Sequence, residues 1–334
     1  MKKFLTVILA SFLFLISFGA IACAEQPKDK VLLKYYQDGS QIVPLILGGA
    51  ETIGLIPEPA ASALQKNATA QGKTLYRLDL QELYDADEKA YPQAVLMVKK
   101  SVIATHNGLI STLEQKITES VSWAKQNVQN AVNAIGEHGA TTLKAGALNQ
   151  NVIDACKIYW QSAVDAKTSV KNYVEKIIGI DSASAKAVSD DFFYTSASGE
   201  SQKAEYTFVA PDGAPAIAIS KLLYDEDGLS TGKKVNYGVV AAGQIKTSLT
   251  NGSADFVLAP VNLASKFYKE HNQTDHYVMV AVITHGNFYI ISSEQITIND
   301  LSGKQMAVPM KGAVPDWTLQ IVLNKYNLPY QTIE

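Results

Sequence analysis

The chain carries an internal repeat, and that repeat constrains the fold more than any other feature. Gln41 to Ser62 aligns without a gap to Gln244 to Ser265, at a constant offset of 203, with seven of the 22 pairs identical. Gly49/Gly252, Leu55/Leu258 and Pro57/Pro260 are among the identities. Each copy reads as a helix of mixed polarity, a glycine turn, a short apolar run, then a proline and a new helix. The runs Ile53–Ile56 and Phe256–Ala259 are brief and wholly apolar, which suits strands buried on both faces of a parallel sheet. A second unit also occurs twice. Tyr206–Ala210 runs into Pro211-Asp212-Gly213-Ala214-Pro215, and Gln305–Pro309 runs into Lys311-Gly312-Ala313-Val314-Pro315. Both are strand, Gly-Ala loop and helix, with proline in the first helical turn, where its missing N–H costs nothing. Two matched α/β units are expected, and 334 residues at 47% hydrophobic provide for about two domains.

The order of the units differs between the halves. In one half the Gly213 loop precedes Pro260. In the other, the Gly312 loop lies near the C-terminus and its partner Pro57 near the N-terminus. Joining Glu334 to Lys30 gives both halves the same order and nearly the same spacing. The simplest reading is a circular permutation with new termini in an exposed loop, a site that tolerates such changes.

The N-terminus reads as an export signal. Lys2 and Lys3 precede an uncharged, mostly apolar run from Phe4 to Ala22, the n- and h-regions of a leader over residues 1–22. Ala20-Ile21-Ala22-Cys23 resembles a bacterial lipobox, which makes Cys23 the lipidated first residue. Ala22-Cys23-Ala24 also fits ordinary signal cleavage, and the run is nearly long enough to remain as a membrane anchor. The expected location is the outer face of the cytoplasmic membrane as a lipoprotein, or the periplasm.

Cysteine and charge counts narrow the chemistry. With only Cys23 and Cys156, a lipidated Cys23 leaves no internal disulfide and no cysteine-based metal site. Cys156 reads as a buried small hydrophobe. Net charge is −3, without the basic face of a nucleic-acid binder. Arg77 is the single arginine, so bidentate arginine capture of an oxyanion has one possible donor.

Tyr277–Ile283, Phe288–Ile291 and Ala94–Val98 are strand-like, and Ser101 to Phe193 is mostly helical. Val152 to Ile177 reads as one amphipathic stretch. Residues 194–203, rich in small polar side chains, read as a linker.

In unpermuted order the series runs Tyr206 to Ala216, Gly252-Ser253-Ala254-Asp255 to Pro260, Thr284-His285-Gly286-Asn287, Leu301-Ser302-Gly303-Lys304 to Pro309, and Gly54 to Ala60. This series resembles the solute-binding proteins of bacterial ABC importers, in the nitrate, sulfonate, taurine and thiamine-pyrimidine-precursor branch. The resemblance covers most of Lys30 to Glu334 in permuted order. It implies a two-lobed type II periplasmic-binding fold with mixed, mostly parallel sheets flanked by helices. It also implies a ligand cleft that closes between the lobes, permease and ATPase subunits as partners, and no cofactor. One lobe would hold residues 31–90 plus 299–334 and the other 91–193 plus 204–298. The chain would cross between them near Ile290–Ile298 and near Tyr91–Val98.

Ligands of open parallel sheets bind beyond the carboxyl ends of the strands. That rule nominates Asp212, Gly213 and Ala214; Pro260 and Asn262; Lys311, Gly312 and Ala313; and Glu58. Both Gly-Ala loops place backbone N–H groups at helix starts. Glu58 stands where the other repeat has Val261, so the scaffold does not require a carboxylate there, and in a cleft it would favour an amine, amidine or aminopyrimidine. Asn287 and Asn262 offer neutral hydrogen bonds, and His285 precedes a strand that borders the cleft. Phe288 and Trp317 are candidate stacking platforms or core residues.

Enzymatic motifs are missing. Gly228 to Lys234 has three residues between its glycines and no Ser/Thr after Lys233, so it is not a P-loop. His106, His138, His271 and His276 lack metal-site spacing. A ligand-sensing subunit on the same fold is the alternative reading. A thiamine-pyrimidine-synthase-like enzyme fits less well, because the cysteine-rich motif of that synthase is absent.

Overall fold

A computed structural model describes residues 29–140, 142–143, 146, 148–269 and 276–334. The expected leader over 1–22, the expected lipidation at Cys23 and His271 fall outside the described residues. The strands, in chain order, begin with β1 (Val31–Tyr36), β2 (Ile53–Pro57), β3 (Tyr76–Asp79), β4 (Ala94–Lys99), β5 (Ile158–Ser162) and β6 (Glu205–Pro211). They continue with β7 (Lys234–Val240), β8 (Phe256–Pro260), β9 (Tyr277–Thr284), β10 (Phe288–Ser292), β11 (Gln305–Pro309) and β12 (Tyr330–Ile333). Among the described residues they form two six-stranded sheets, ordered β12-β1-β11-β2-β10-β3 and β5-β9-β4-β8-β6-β7. Helices flank both sheets, giving a two-lobed mixed α/β architecture.

The repeat is visible in the pairing. In the first sheet β11 lies between β1 and β2, parallel to both. In the second, β6 lies between β7 and β8, again parallel to both. Beyond each trio comes one strand of opposite direction, β10 against β2 and β4 against β8. β2, β8 and β9 are fully or almost fully buried along their length, as their unbroken apolar composition requires.

Three details differ from the sequence expectations. Val152–Ile177 is not one helix: Lys157 takes φ 49°, and β5 intervenes between helices Gln150–Ala155 and Ala163–Ile180. A left-handed lysine ends the first helix, and the aromatic Tyr159-Trp160 pair favours the strand that joins β9. The second difference is in the crossings. The one expected near Ile290–Ile298 falls at 285–287, because β10 already belongs to the first sheet and pairs with both β2 and β3. The one expected near Tyr91–Val98 occupies 80–93, because β4 already belongs to the second sheet from Ala94. The third concerns the chain ends. β12 lies parallel to β1 with Tyr330 level with Val31, so Glu334 and Lys30 sit at opposite ends of neighbouring strands, about 17 Å apart at 3.3 Å per residue. A connection of several residues, rather than one peptide bond, would be needed to unite them.

The lobes share a core at their junction. Helix Ala163–Ile180 starts at Ser162, whose Oγ accepts from the Asp165 N–H, a Ser cap. It buries Ala163, Ala166, Val170, Tyr173, Val174 and Ile177, the stripe expected at three- and four-residue spacing. Tyr173 reaches helix Val314–Lys325 of the other lobe, its Oη 2.5 Å from Thr318 Oγ1. Tyr91 stacks on Tyr173 with ring centroids 5.5 Å apart, and Tyr84 packs against both.

Candidate functional site between the facing sheet edges

Strand direction brings the corner loops together. β10 enters the first sheet with Phe288 opposite Pro57, at the carboxyl end of β2. β4 enters the second with Ala94 opposite Pro260, at the carboxyl end of β8, and β9 leaves that sheet with Thr284 level with Ala94. Both crossings, 285–287 and 80–93, therefore span from one carboxyl edge to the other. Pro57–Pro59, Pro260–Asn262, Asp212–Ala214 and Lys311–Ala313 all lie on those edges, where the parallel-sheet rule locates ligands.

The crossings are rigidly tied. Gln93 N–H donates to the Thr284 carbonyl at 2.9 Å, and the Gln93 carbonyl accepts from Val261 N–H at 3.0 Å. Tyr91 N–H donates to His285 O, His285 N–H to Lys157 O, and Glu58 N–H to Asn287 O. Gly286 has φ +81°, and a Cβ there would lie 2.5 Å from Tyr91 Cε1. Only glycine passes this point without displacing the Tyr91 ring.

Glu58 is occupied, which corrects the expectation of a carboxylate open to ligand. It is 1% exposed. Its Oε1 accepts from Arg77 Nη2 at 2.6 Å and from Ser62 Oγ at 2.8 Å, and its Oε2 accepts from Ser62 N–H at 3.0 Å. The carboxylate thus caps the helix Ala60–Ala70 and holds the single arginine. Arg77 also donates to Gln65 Oε1, its guanidinium lies 3.6 Å from the Tyr289 ring centre, and its open side borders a depression with Tyr76 and Ile290. Neither charge is left for a ligand, and the cation preference drawn from Glu58 loses its basis.

The Gly-Ala loops are likewise engaged. Gly312 N–H donates to Asp316 Oδ2, and Asp316 Oδ1 accepts from Tyr35 Oη and Gln320 Nε2. Burial pushes the Asp316 carboxyl above its ordinary range. Asp212 Oδ2 accepts from Thr142 N–H and Oγ1. Gly213 and Ala313 are part-buried, Ala214 is buried, and Gly312 is exposed. Lys311 is exposed with its Nζ 5.1 Å from the Tyr35 ring centre. Trp317 donates its indole N–H to Gly312 O, and Phe288 joins the shared core; both serve packing.

Among the described residues, most buried side-chain atoms without a hydrogen-bond partner sit at or beside the crossings, with Ser220 Oγ and His276 Nε2 elsewhere. His285 is 3% exposed and neither ring nitrogen has a hydrogen-bond partner. Asn262 Oδ1, Asn287 Oδ1, Gln93 Oε1 and Tyr91 Oη are also buried without partners. Such groups cost about 1–3 kcal/mol each when left unsatisfied, so their gathering at one place calls for a partner. His285 stacks on Tyr159, with ring centroids 3.5 Å apart and an interplanar angle of 5°. Burial lowers its imidazole to about 3, which keeps it neutral at ordinary pH. Cys156 lies behind this group, its thiol pushed up by burial and then by the Glu58 charge.

The structure therefore draws His285, Asn287, Asn262 and Pro260 to one junction and adds Gln93, Tyr91 and Tyr159. Sequence reasoning misses these three because only the crossing itself distinguishes them. A polar residue directly before a crossover strand, as in Tyr91-Pro92-Gln93, is the available signal.

Comparison with protein-family models and with curated proteins finds no match. Among solved structures, similarity is found to a periplasmic oligopeptide-binding ABC transporter protein of Thermotoga maritima, at 15% identity over 67% of this chain and 38% of that chain, TM-score 0.29. NikA from Brucella suis, in complex with Fe(III)-EDTA, is similar at 9% identity over 80% and 58%, TM-score 0.29. The oligopeptide-binding protein AppA from Bacillus subtilis, in complex with a nonapeptide, is similar at 9% over 79% and 57%, TM-score 0.27. The chain spans less than two thirds of the length of each. At such TM-scores the likeness carries no argument, and the two-lobed α/β fold rests on the strand order and the two crossings described above.

Proposed function

We propose that this chain is the extracytoplasmic solute-binding component of an ABC importer, capturing a small polar ligand between its lobes and delivering it to permease and ATPase subunits. The observation that carries the reading is the junction of two facing carboxyl edges lined by buried, unpartnered polar groups. A ligand satisfying them contacts both lobes and the crossings at once, so it stabilises the closed arrangement. That is a population shift and not catalysis. The reading includes export by residues 1–22, a lipid anchor at Cys23 as the sole membrane attachment, and a permuted gene order. The matched placing of β1 beside β11 and β7 beside β6 supports the permutation.

Small-angle scattering of the purified chain, with and without ligand co-purified from its native cells and identified by native mass spectrometry, tests the binding role. Compaction on ligand addition is expected; an unchanged scattering profile at saturating ligand refutes it. Intact-mass measurement of membrane-extracted protein is expected to show a diacyl adduct at Cys23, and an unmodified N-terminus refutes the anchor.

A further inference from the structure

The junction also has a polarity, and that polarity selects among ligands. Asn262 Nδ2 donates to Ser184 O at 3.3 Å and Asn287 Nδ2 to Glu58 O at 3.1 Å. A carbonyl accepts only from the N–H side of an amide, so these bonds fix which way each carboxamide faces. Both Oδ1 atoms, and Gln93 Oε1 with them, are left buried without a donor. Of the neighbouring cations, Arg77 is bound to Glu58 and Gln65, Lys157 donates to the Lys89 carbonyl, and Lys311 stands exposed over the Tyr35 ring. A buried oxyanion facing the two oriented carboxamide oxygens would be left unpaired, and so would a buried cation, because the Glu58 carboxylate is engaged by Arg77 and Ser62; a charge taken from water must be paired. Hydroxyl groups both donate and accept, whereas N–H groups of amines, amidines and amides only donate, the match for acceptors whose own hydrogens point away. His285, with both ring nitrogens open, supplies one further acceptor and one donor.

We propose that the junction takes an uncharged nitrogenous solute, one whose N–H groups donate to Asn262 Oδ1 and Asn287 Oδ1 while His285 contacts it edge-on. This rests on the binding role proposed above and adds the ligand class.

Thermal-shift and calorimetric titrations of the full chain separate the possibilities, with cytosine, acetamide and nicotinamide as uncharged N–H donors, nitrate, sulfate and methanesulfonate as oxyanions, and xylitol as a polyol. At least one N–H donor is expected to raise Tm in the wild type. Asn262→Leu is expected to weaken that compound at least tenfold. His285→Phe keeps a flat ring against Tyr159 and removes both unpaired nitrogens, so its ligand-free Tm is expected to hold or rise while the ligand-induced shift disappears. A merely structural histidine would give the opposite pattern, a lower ligand-free Tm with the shift retained, and that result overturns the assignment. Shifts from oxyanions or xylitol alone overturn the ligand class and leave the binding role standing. No shift from any probe, together with unchanged scattering in the co-purification experiment, removes the binding role and the ligand class together.

Discussion

Replacing Arg77 with methionine isolates the buried ion pair on which the Pro57 corner depends. Methionine keeps an apolar stem against Tyr289 but leaves the Glu58 carboxylate, whose side chain is fully buried, with Ser62 as its remaining partner. Breaking a fully buried pair by removing one member costs about 3–5 kcal/mol. Arg77 is 28% exposed and Ser62 retains two hydrogen bonds to the carboxylate, so the expected loss is about 2–3 kcal/mol. At about 2–4 °C per kcal/mol for a chain of this size, Tm falls by about 5–10 °C. Glu58→Gln in the Arg77→Met background removes the stranded charge and is expected to recover most of the loss, to within about 1 kcal/mol of wild type. Urea denaturation followed by tryptophan fluorescence measures all four corners of the cycle. The reasoning fails if Arg77→Met costs under about 0.5 kcal/mol, or if the double variant is as unstable as the sum of the singles.

Three other outcomes are expected. The unfolded His285 imidazole titrates near 6.5 and the folded one at about 3, so the unfolded chain binds more protons below pH 6.5 and stability falls with pH; between pH 7 and 5 this residue alone removes about 2 kcal/mol, and denaturant titrations at the two pH values should show that difference shrink in His285→Phe. Gly286→Ala forces a Cβ against the Tyr91 ring at a positive φ and should cost about 1–3 kcal/mol, read as a lower urea midpoint; a midpoint equal to wild type contradicts the packing. Cys156, buried with its thiol held protonated by its surroundings, should resist iodoacetamide in the native protein and react only on unfolding, and rapid native labelling would show the junction to be open.

The strands that sequence makes legible are those buried on both faces. β2, β8 and β9 have no polar residue on either side before their ends, so their composition alone distinguishes them. β3 and β12 are four residues long at sheet edges, half-buried and half-polar, and nothing in their composition separates them from loop. β5 is hidden differently: Gln161 and Ser162 continue the helix-like spacing of the segments around it, and only its pairing with β9 decides the matter. At the site, His285, Asn262 and Asn287 are legible because they flank recognisable strands. The employment of Glu58 is not, because Ser62, Gln65 and Arg77 converge on it through a helix and a neighbouring strand. An unpaired oxygen on Gln93 is a property of what surrounds it in space, and the one-dimensional pattern holds no trace of it.

The pairing order has a consequence for synthesis. Every named sheet partner of β1, β2 and β3 lies at or beyond Phe288, whereas the strands of the other sheet pair entirely within 94–284. A chain made from its N-terminus thus delivers three strands with unsatisfied edges long before anything can receive them. Closing such long loops comes late in folding, and open strand edges in the interval invite pairing with other chains. The lobe that emerges second is the one able to finish first, and the lobe that emerges first must be kept apart until the last strands arrive.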